Sequence, residues 1–181
     1  MPSPLLHLWD PGKGEIERSF FPQPGGPNVQ RVAASFGVVG VAVRDSLVAA
    51  VTALVDTVYL FGIDGTERGV IPVPLPQFRP PPDLRSRHMT SAQIREYQDA
   101  MTLILDIFWP SDSTFVLQVG ETRGSAVRWS IVEMDRKGRL VHLQSSIPRL
   151  LLVRDRLYYF VSWASDVPNQ WTVFRRRDTI Q

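Results

Sequence analysis

Cysteine is missing from this sequence of 181 residues. Its absence excludes disulfide bonds, thiolate metal ligands and a cysteine nucleophile, but it does not define a cellular compartment. Long hydrophobic runs are also missing, because no apolar segment approaches the roughly 20 residues that span a bilayer. Residues 1–10 contain neither a basic segment nor a long apolar one, so we expect no secretory signal there.

Neither charge sign is in large excess, since the sequence contains 20 basic and 18 acidic residues. The acids are interspersed with the arginines, so we expect no large surface of one sign. The densest basic run, Arg175 to Arg177, follows Trp171 and Phe174, a combination that can bind nucleic acid. Asp178 comes directly after it. A short run of this kind is usually solvated, and we expect no nucleic-acid partner.

The sequence does contain a repeated hairpin pattern. Segments 6–17, 58–68 and 129–141 each run from an alternating apolar strand through an Asp–Gly turn into a second strand. Aspartate can bond its own turn and glycine supplies positive φ, as such turns require. The turn aspartates are Asp10, Asp64 and Asp135, and the prolines at or near the ends of the second strands are Pro22, Pro72 and Pro148. We therefore interpret these carboxylates as turn residues.

A second repeated unit lies between these hairpins, at residues 41–51, 107–117 and 151–161. Each copy is a short apolar strand, an aspartate-containing turn and a longer apolar strand, and the aspartates are Asp45, Asp112 and Asp155. Asp112 and Asp155 are 43 residues apart, and Asp45 and Asp112 are 67 residues apart. The second distance also becomes 43 when a non-strand insert of 24 residues is subtracted. Repeats of about 40–50 residues with four strands are typical of β-propeller blades.

This spacing predicts an all-β protein made of antiparallel four-stranded blades. We expect two strands of one blade, two complete blades, and at least three strands of a last blade that ends near residues 171–175. Residues 1–181 would then form a single partial propeller domain of about three and a half blades.

The insert spans residues 77–100 and begins with the proline-rich segment 79–82. Thr90 and Gln93 form a capping-box pattern, which predicts a short helix over about residues 91–101. Ile94, Tyr97 and Met101 would share one face of it. Two interpretations remain open for this insert: a helix that covers a blade edge, or a binding loop.

The sequence offers no catalytic, cofactor or metal residue above chance. His7, His88 and His142 have no partner at ligand spacing, so we expect isolated polar roles. Asp106 precedes an apolar strand and could face a central channel, but one carboxylate does not make an acid–base pair. The segments 12–14 and 25–27 are glycine-containing turns or linkers, because neither has the pattern of a phosphate-binding loop.

Several aromatic residues occupy strand positions, where packing between blades is more common than a ligand cage. They are Trp9, Phe61, Trp129, Tyr158, Tyr159, Phe160 and Trp163.

Residues 76–161 resemble the C-terminal part of bacterial six-bladed β-propellers of the NHL/TolB-like kind. The resemblance is carried by the proline-rich segment 79–82, the strand pair 109–117 and the hairpin 132–140. It implies an extracytoplasmic binding or scaffold role. The chain departs from the pattern in having no signal segment and about three and a half blades. We therefore expect missing N-terminal blades, or a second copy that completes the ring, or imperfect closure, and we favour the first.

Three functions follow from these observations. The leading hypothesis is a non-catalytic module that binds a protein, peptide or glycan on one face. The first alternative is a propeller-type hydrolase or lactonase with a metal in the channel, and the second is a structural fragment without independent activity.

Overall fold

The computed structural model describes residues 4–83, 90–124, 126–154, 157–164 and 167–175. Within these residues the chain is mostly strand, with two helices. The strands are β1 (Pro4–Asp10), β2 (Glu15–Pro22), β3 (Val39–Arg44), β4 (Leu47–Thr52), β5 (Thr57–Gly62), β6 (Glu67–Pro72), β7 (Thr102–Ser111), β8 (Thr114–Arg123), β9 (Ala126–Asp135), β10 (Leu140–Ile147), β11 (Arg149–Arg154), β12 (Leu157–Ala164) and β13 (Val167–Arg175). The helices are α1 (Pro27–Phe36) and α2 (Ser91–Asp99).

The strands form four antiparallel sheets in which sequence neighbours are also spatial neighbours. The first sheet is β1–β2, the second is β3–β4–β5–β6, the third is β7–β8–β9–β10 and the fourth is β11–β12–β13. The prediction of an all-β fold with four-stranded antiparallel sheets and a short helical insert is therefore confirmed. The arrangement is compatible with a β-propeller-like fold, because each sheet is a four-stranded meander or part of one.

Successive sheets pack face to face through alternating side chains. Phe21 of the first sheet packs with Phe61 of the second. Val58 of the second sheet shares a core with Phe115 of the third. Val116, the next residue along β8, points to the opposite face and packs with Phe160 of the fourth sheet. Successive side chains of a strand point to opposite faces of the sheet, so both faces of the third sheet are buried, one by the second sheet and one by the fourth.

The hairpin turns contact the outer strand of the preceding sheet. The guanidinium of Arg18 on β2 donates a hydrogen bond of 2.7 Å to the carbonyl of Asp64, in the β5–β6 turn. One sheet later, Gly138 of the β9–β10 turn lies against the carbonyl of Pro72 at the end of β6. A turn therefore lies against the outer strand of the preceding sheet at two successive interfaces, through different contacts.

The turn aspartates have the role that the repeat predicts. The Asp135 carboxylate accepts hydrogen bonds of 2.9 Å from the backbone amides of Lys137 and Arg139. Gly138 in this turn has φ near 80°. The Arg139 amide, followed by the Arg139 guanidinium at 2.6 Å, lowers the pKa of Asp135. The corresponding carboxylates of Asp10 and Asp64 also bond their own turns and have lowered pKa values.

The first strands of the second and third sheets lie close together at Gly40 on β3. A methyl group at this position would lie 2.9 Å from the Asp106 Cα and 3.0 Å from the Ile107 amide nitrogen. Both are backbone atoms of β7, which cannot swing away as a side chain can. The close approach of β3 to β7 therefore requires glycine at this position.

Helix α1 is not among the elements that the sequence predicts, and residues 25–27, expected to be a turn or linker, lead directly into it. Gly26 is its N-cap and Pro27 occupies the first turn, where a missing amide proton costs nothing. Three apolar residues, Val29, Val32 and Phe36, form its buried stripe. The stripe is short, and its partners come from distant segments, so a local pattern gave little indication of the helix.

A polar cluster lies buried between the third and fourth sheets. The Tyr158 hydroxyl donates to the Glu133 carboxylate, and the Gln118 side chain accepts from the Leu150 amide. Gln118 also donates a 3.0 Å hydrogen bond to the Ser130 carbonyl. Since Glu133 and Gln118 are each 1% exposed, these bonds replace the water that both groups lose.

We predict that Gly40→Ala destabilises the protein by about 1–3 kcal/mol, because the added methyl group forces β3 away from β7. Urea unfolding followed by circular dichroism measures the change. The matched control is Gly12→Ala, whose methyl group would meet only the movable Asp10 side chain. Equal stability of the Gly40 variant and the wild type would contradict the close approach.

We predict that Asp135→Asn loses stability near pH 7 and loses less of it below pH 4. The native pKa of Asp135 is lowered, so its charged form stabilises the fold above the ordinary pKa of about 3.9. That contribution disappears as the pH falls through the native pKa. Thermal unfolding of both proteins from pH 2 to pH 7 tests this, and a constant difference in Tm across the range would contradict it.

Candidate functional site

The two helices lie together over the turn between β4 and β5. Val32 of α1 and Tyr97 of α2 pack with Ala53 and Leu54 of this turn. The Phe36 and Tyr97 rings stack with centroids 5.8 Å apart. Because α1 joins the first sheet to the second and α2 joins the second to the third, both linkers cover the same end of the sheets. We call α1, α2 and residues 79–83 the helical face.

Helix α2 begins at the predicted capping box. The Thr90 hydroxyl accepts from the Gln93 amide at 3.3 Å, and the Gln93 side chain accepts from the Thr90 amide at 2.9 Å. Tyr97 and the adjoining Met101 are buried, while Ile94 is half-buried. The predicted helix and its apolar side are therefore confirmed, although the helix ends at Asp99 rather than near residue 101.

The proline-rich segment is fixed in place by polar side chains from both helices. The Tyr97 hydroxyl donates a 2.6 Å hydrogen bond to the Pro82 carbonyl. The Asn28 amide group donates to the carbonyls of Pro81, at 3.1 Å, and Pro82, at 3.0 Å. Since proline has no amide proton and the segment lies outside the sheets, these bonds anchor it to the helices.

The other end of the segment is tied to the third sheet. The Arg79 guanidinium donates a 3.0 Å bond to the Asp99 carbonyl at the end of α2. The Thr102 amide, at the start of β7, donates to the Arg79 carbonyl at 2.9 Å. The Asp99 carboxylate accepts from the Gly124 amide at 3.1 Å, next to the end of β8. The helical face is thus connected to its sheets by hydrogen bonds at several points.

The outer side of the helical face is polar. Its exposed charged and amide side chains, among the described residues, are Gln30, Arg31, Gln93, Arg95, Glu96 and Asp83. Burial raises the pKa of the Tyr97 hydroxyl, the Asp83 carboxylate raises it further, and Arg31 opposes both. Charges of both signs therefore lie close to the anchored proline segment. Such a surface can exchange hydrogen bonds and ion pairs with a ligand.

The structure places the predicted candidates apart from one another. His7 is exposed and its Nδ1 atom lies 2.8 Å from the Ser19 hydroxyl. His142 is exposed on β10, where its strand partner is Glu133, while His88 lies outside the described residues. Within the described ranges, no three histidine, aspartate or glutamate side chains are grouped as metal ligands.

Asp106 lies on β7, where that strand approaches β3. Burial raises the pKa of Asp106, while a 2.9 Å hydrogen bond from the Ile107 amide and the nearby Arg149 act in the opposite direction. The Arg149 guanidinium also lies 5.7 Å from the centre of the Trp129 ring. The carboxylate is therefore hydrogen-bonded to the adjoining backbone amide, and the charge of Arg149 favours its ionised form.

The remaining carboxylates of the repeat occupy turns. Asp45 has φ of 52°, the left-handed conformation that aspartate tolerates in a turn. Asp112 pairs with Arg44 at 2.5 Å, which links the β7–β8 turn to the end of β3. Asp155 lies outside the described residues, as do Arg176 and Arg177.

Three of the seven aromatic residues lie where the prediction of packing between sheets puts them, and one does not. Phe61, Tyr158 and Phe160 are buried at sheet interfaces. Trp9 is 56% exposed, so the expectation that it packs between blades is wrong for the described residues. The side chains of Trp163 and Trp171 lie outside the described part.

Comparison with known proteins adds no identification: no family model, no curated protein and no solved structure matches the chain. Among the helices described, none is long and apolar enough to cross a membrane.

We predict that Tyr97→Phe destabilises the protein by about 0.5–1.5 kcal/mol, because it removes the hydrogen bond to Pro82 and keeps the ring packing. Urea unfolding gives the change in stability. Hydrogen exchange should rise in α1 and α2 while the amides of β8 and β9 stay protected. Unchanged exchange in the helices would show that this hydroxyl does not anchor the helical face.

Proposed function

We propose that this chain is a non-catalytic binding or scaffold module, and that the helical face binds a protein or peptide segment. The supporting observation is that both linkers between sheets lie on one end of the sheets and pack together there. Insertions in repeat folds collect on the face that binds a partner. Here the insertions are also rigidly held, which lowers the entropy lost on binding.

The chemistry of the helical face favours a peptide over a purely apolar ligand. The Gln30 Oε1 atom can accept from a peptide backbone and the Gln93 Nε2 group can donate to it, while the other atom of each amide bonds Gly25 or Thr90. Arg31 and Arg95 can bind carboxylates, and Glu96 can bind a basic side chain. A neutral glycan offers hydroxyls to the same amides but no charges for these ionic groups, so glycans are the second ligand class to test.

We also infer that the sheets are blades of a bacterial six-bladed propeller of the NHL/TolB-like kind. The support is the resemblance of residues 76–161, together with the face-to-face packing of successive four-stranded sheets. Members of that class act as extracytoplasmic binding or scaffold proteins in many cases, which agrees with the proposed role.

Panning a random peptide display library on the purified chain tests the proposal, with a glycan array as the parallel probe. We expect enriched peptides whose affinity falls at least tenfold for the double variant Arg31→Glu/Arg95→Glu, since each reversal removes an ionic contact and adds repulsion. The control is Lys13→Glu/Arg68→Glu, which makes the same charge change on the strand hairpins and should leave the affinity unchanged.

Two results would overturn this function. Enriched ligands that bind the helical-face variant and the control variant equally well would exclude this face. Stoichiometric bound metal, together with hydrolysis of ester or lactone substrates by the purified chain, would establish an enzyme instead.

A further inference from the structure

The outer strand of the third sheet, β10, has an edge with which no described strand pairs. It lies at one end of that sheet and is hydrogen-bonded to β9 alone. Seven of its eight residues are exposed, and only Ile147 at its end is half-buried. Such an edge presents backbone amides and carbonyls with which another strand can pair.

The outer strands of the first two sheets carry residues that discourage pairing, whereas β10 does not. Charged side chains and proline are the usual protection of a natural edge strand. In β2 and β6 these residues are Glu15, Glu17, Arg18, Pro22, Glu67, Arg68 and Pro72. The sequence of β10 contains no aspartate, glutamate, lysine, arginine or proline. Among these three outer strands, β10 is therefore the one that is chemically open to strand addition.

Two bulges confine the regular part of β10 to residues 142–145. The register with β9 shifts between Leu140 and His142, and again between Ser145 and Ile147. Ser146, within the second bulge, has a φ of 60°. Since bulges interrupt pairing, a strand that adds to this edge would pair with the short regular part between them.

The two faces of this regular part differ in polarity. Leu143 is 44% exposed and lies opposite Val132 of β9, whose side chain belongs to the core shared with the second sheet. His142 and Gln144 point to the other face, where His142 lies opposite the buried Glu133. Leu143 thus lies on the face turned away from the fourth sheet, so its exposure does not depend on how that sheet is completed.

We propose that β10 pairs with β10 of a second copy of this chain, antiparallel and around a two-fold axis at Leu143. This is β-strand addition in its isologous form, in which each copy offers the same strand. The two third sheets then form one continuous sheet of eight strands.

The register follows from the alternation of side chains. The two-fold axis is perpendicular to the joined sheet, so each residue must lie opposite one that points to the same face. An axis at Leu143 places Leu143 opposite its own copy and His142 opposite Gln144. An axis at Gln144 would instead place Leu143 opposite Ser145, which loses the apolar pair.

The composition of β10 favours a second copy as the occupant of this edge. The Leu143 pair buries apolar surface, and the His142 ring can hydrogen-bond the Gln144 amide of the other copy. Because β10 has no charged residue, pairing it with itself brings no like charges together. This inference depends neither on the propeller assignment nor on the binding role of the helical face.

Light scattering coupled to size exclusion tests the assembly. We expect a mass about twice the 20.5 kDa of one chain. Hydrogen exchange should show protection of the amides of residues 142–145 that increases with protein concentration. A monomer at all concentrations up to about 100 µM would overturn the proposal. So would a dimer in which these amides gain no protection.

A matched pair of variants locates the contact. Leu143→Lys should weaken the dimer at least tenfold, because it places two lysines directly opposite each other. The control is Val70→Lys, since Val70 is 55% exposed on β6, the outer strand of the second sheet, and lies outside the proposed interface. Circular dichroism checks that both variants fold. A dimer that resists Leu143→Lys, or that both variants weaken equally, would overturn the contact.

Mixing two charge variants tests the register itself. Leu143→Lys and Leu143→Glu should each be monomeric alone, whereas an equimolar mixture should form a mixed dimer at least tenfold more stable than either variant's own dimer. Two variants that merely fail to fold could not restore each other in this way. A mixture as monomeric as its components would exclude the register with the axis at Leu143.

Failure of this assembly can be separated from failure of the proposed function. A monomer that still binds library peptides through Arg31 and Arg95 would exclude only the dimer. A monomer whose library peptides are lost with Leu143→Lys would overturn the dimer and assign the edge to a foreign strand. A dimer that enriches no peptide and no glycan would support the assembly and count against the binding role.

Discussion

The face-to-face packing of the third sheet on the second is the contact on which the other features depend. Val58 and Phe115 lie in its core, and Gly40 lets β3 approach the backbone of β7 at one end of it. The first sheet precedes the second in the chain and the fourth follows the third. The packing of the second sheet on the third therefore determines the side on which each of the other two lies. It also brings the linkers before β3 and β7 to the same end of the molecule.

The helical face follows from that constraint. Two linkers that emerge side by side can bury their apolar stripes against each other and against Leu54, whereas neither helix is long enough to be stable alone. Tyr97 and Asn28 then hold the carbonyls of the proline segment. The proposed binding surface is therefore a product of sheet packing, and its exposed charges are positioned by residues that face inward.

The sequence predicted most of the fold, because hairpins are encoded locally. Asp64 and Asp135 mark turns whose bonds span only two to four residues, and the 43-residue spacing locates the blades around them. The capping box at Thr90 and Gln93 predicted α2 for the same reason. Helix α1 was missed because its stripe depends on Tyr97 and Leu54, which are distant in sequence.

What the sequence by itself determined is the order of strands and turns, since alternation, proline and Asp–Gly pairs act over a few residues. Only the tertiary structure decided which faces are covered. It buried Glu133 beneath Tyr158 and left Trp9 exposed, the reverse of what their polarities indicate. The physical reason is that burial depends on which sheet lies opposite, and that neighbour comes from residues far along the chain.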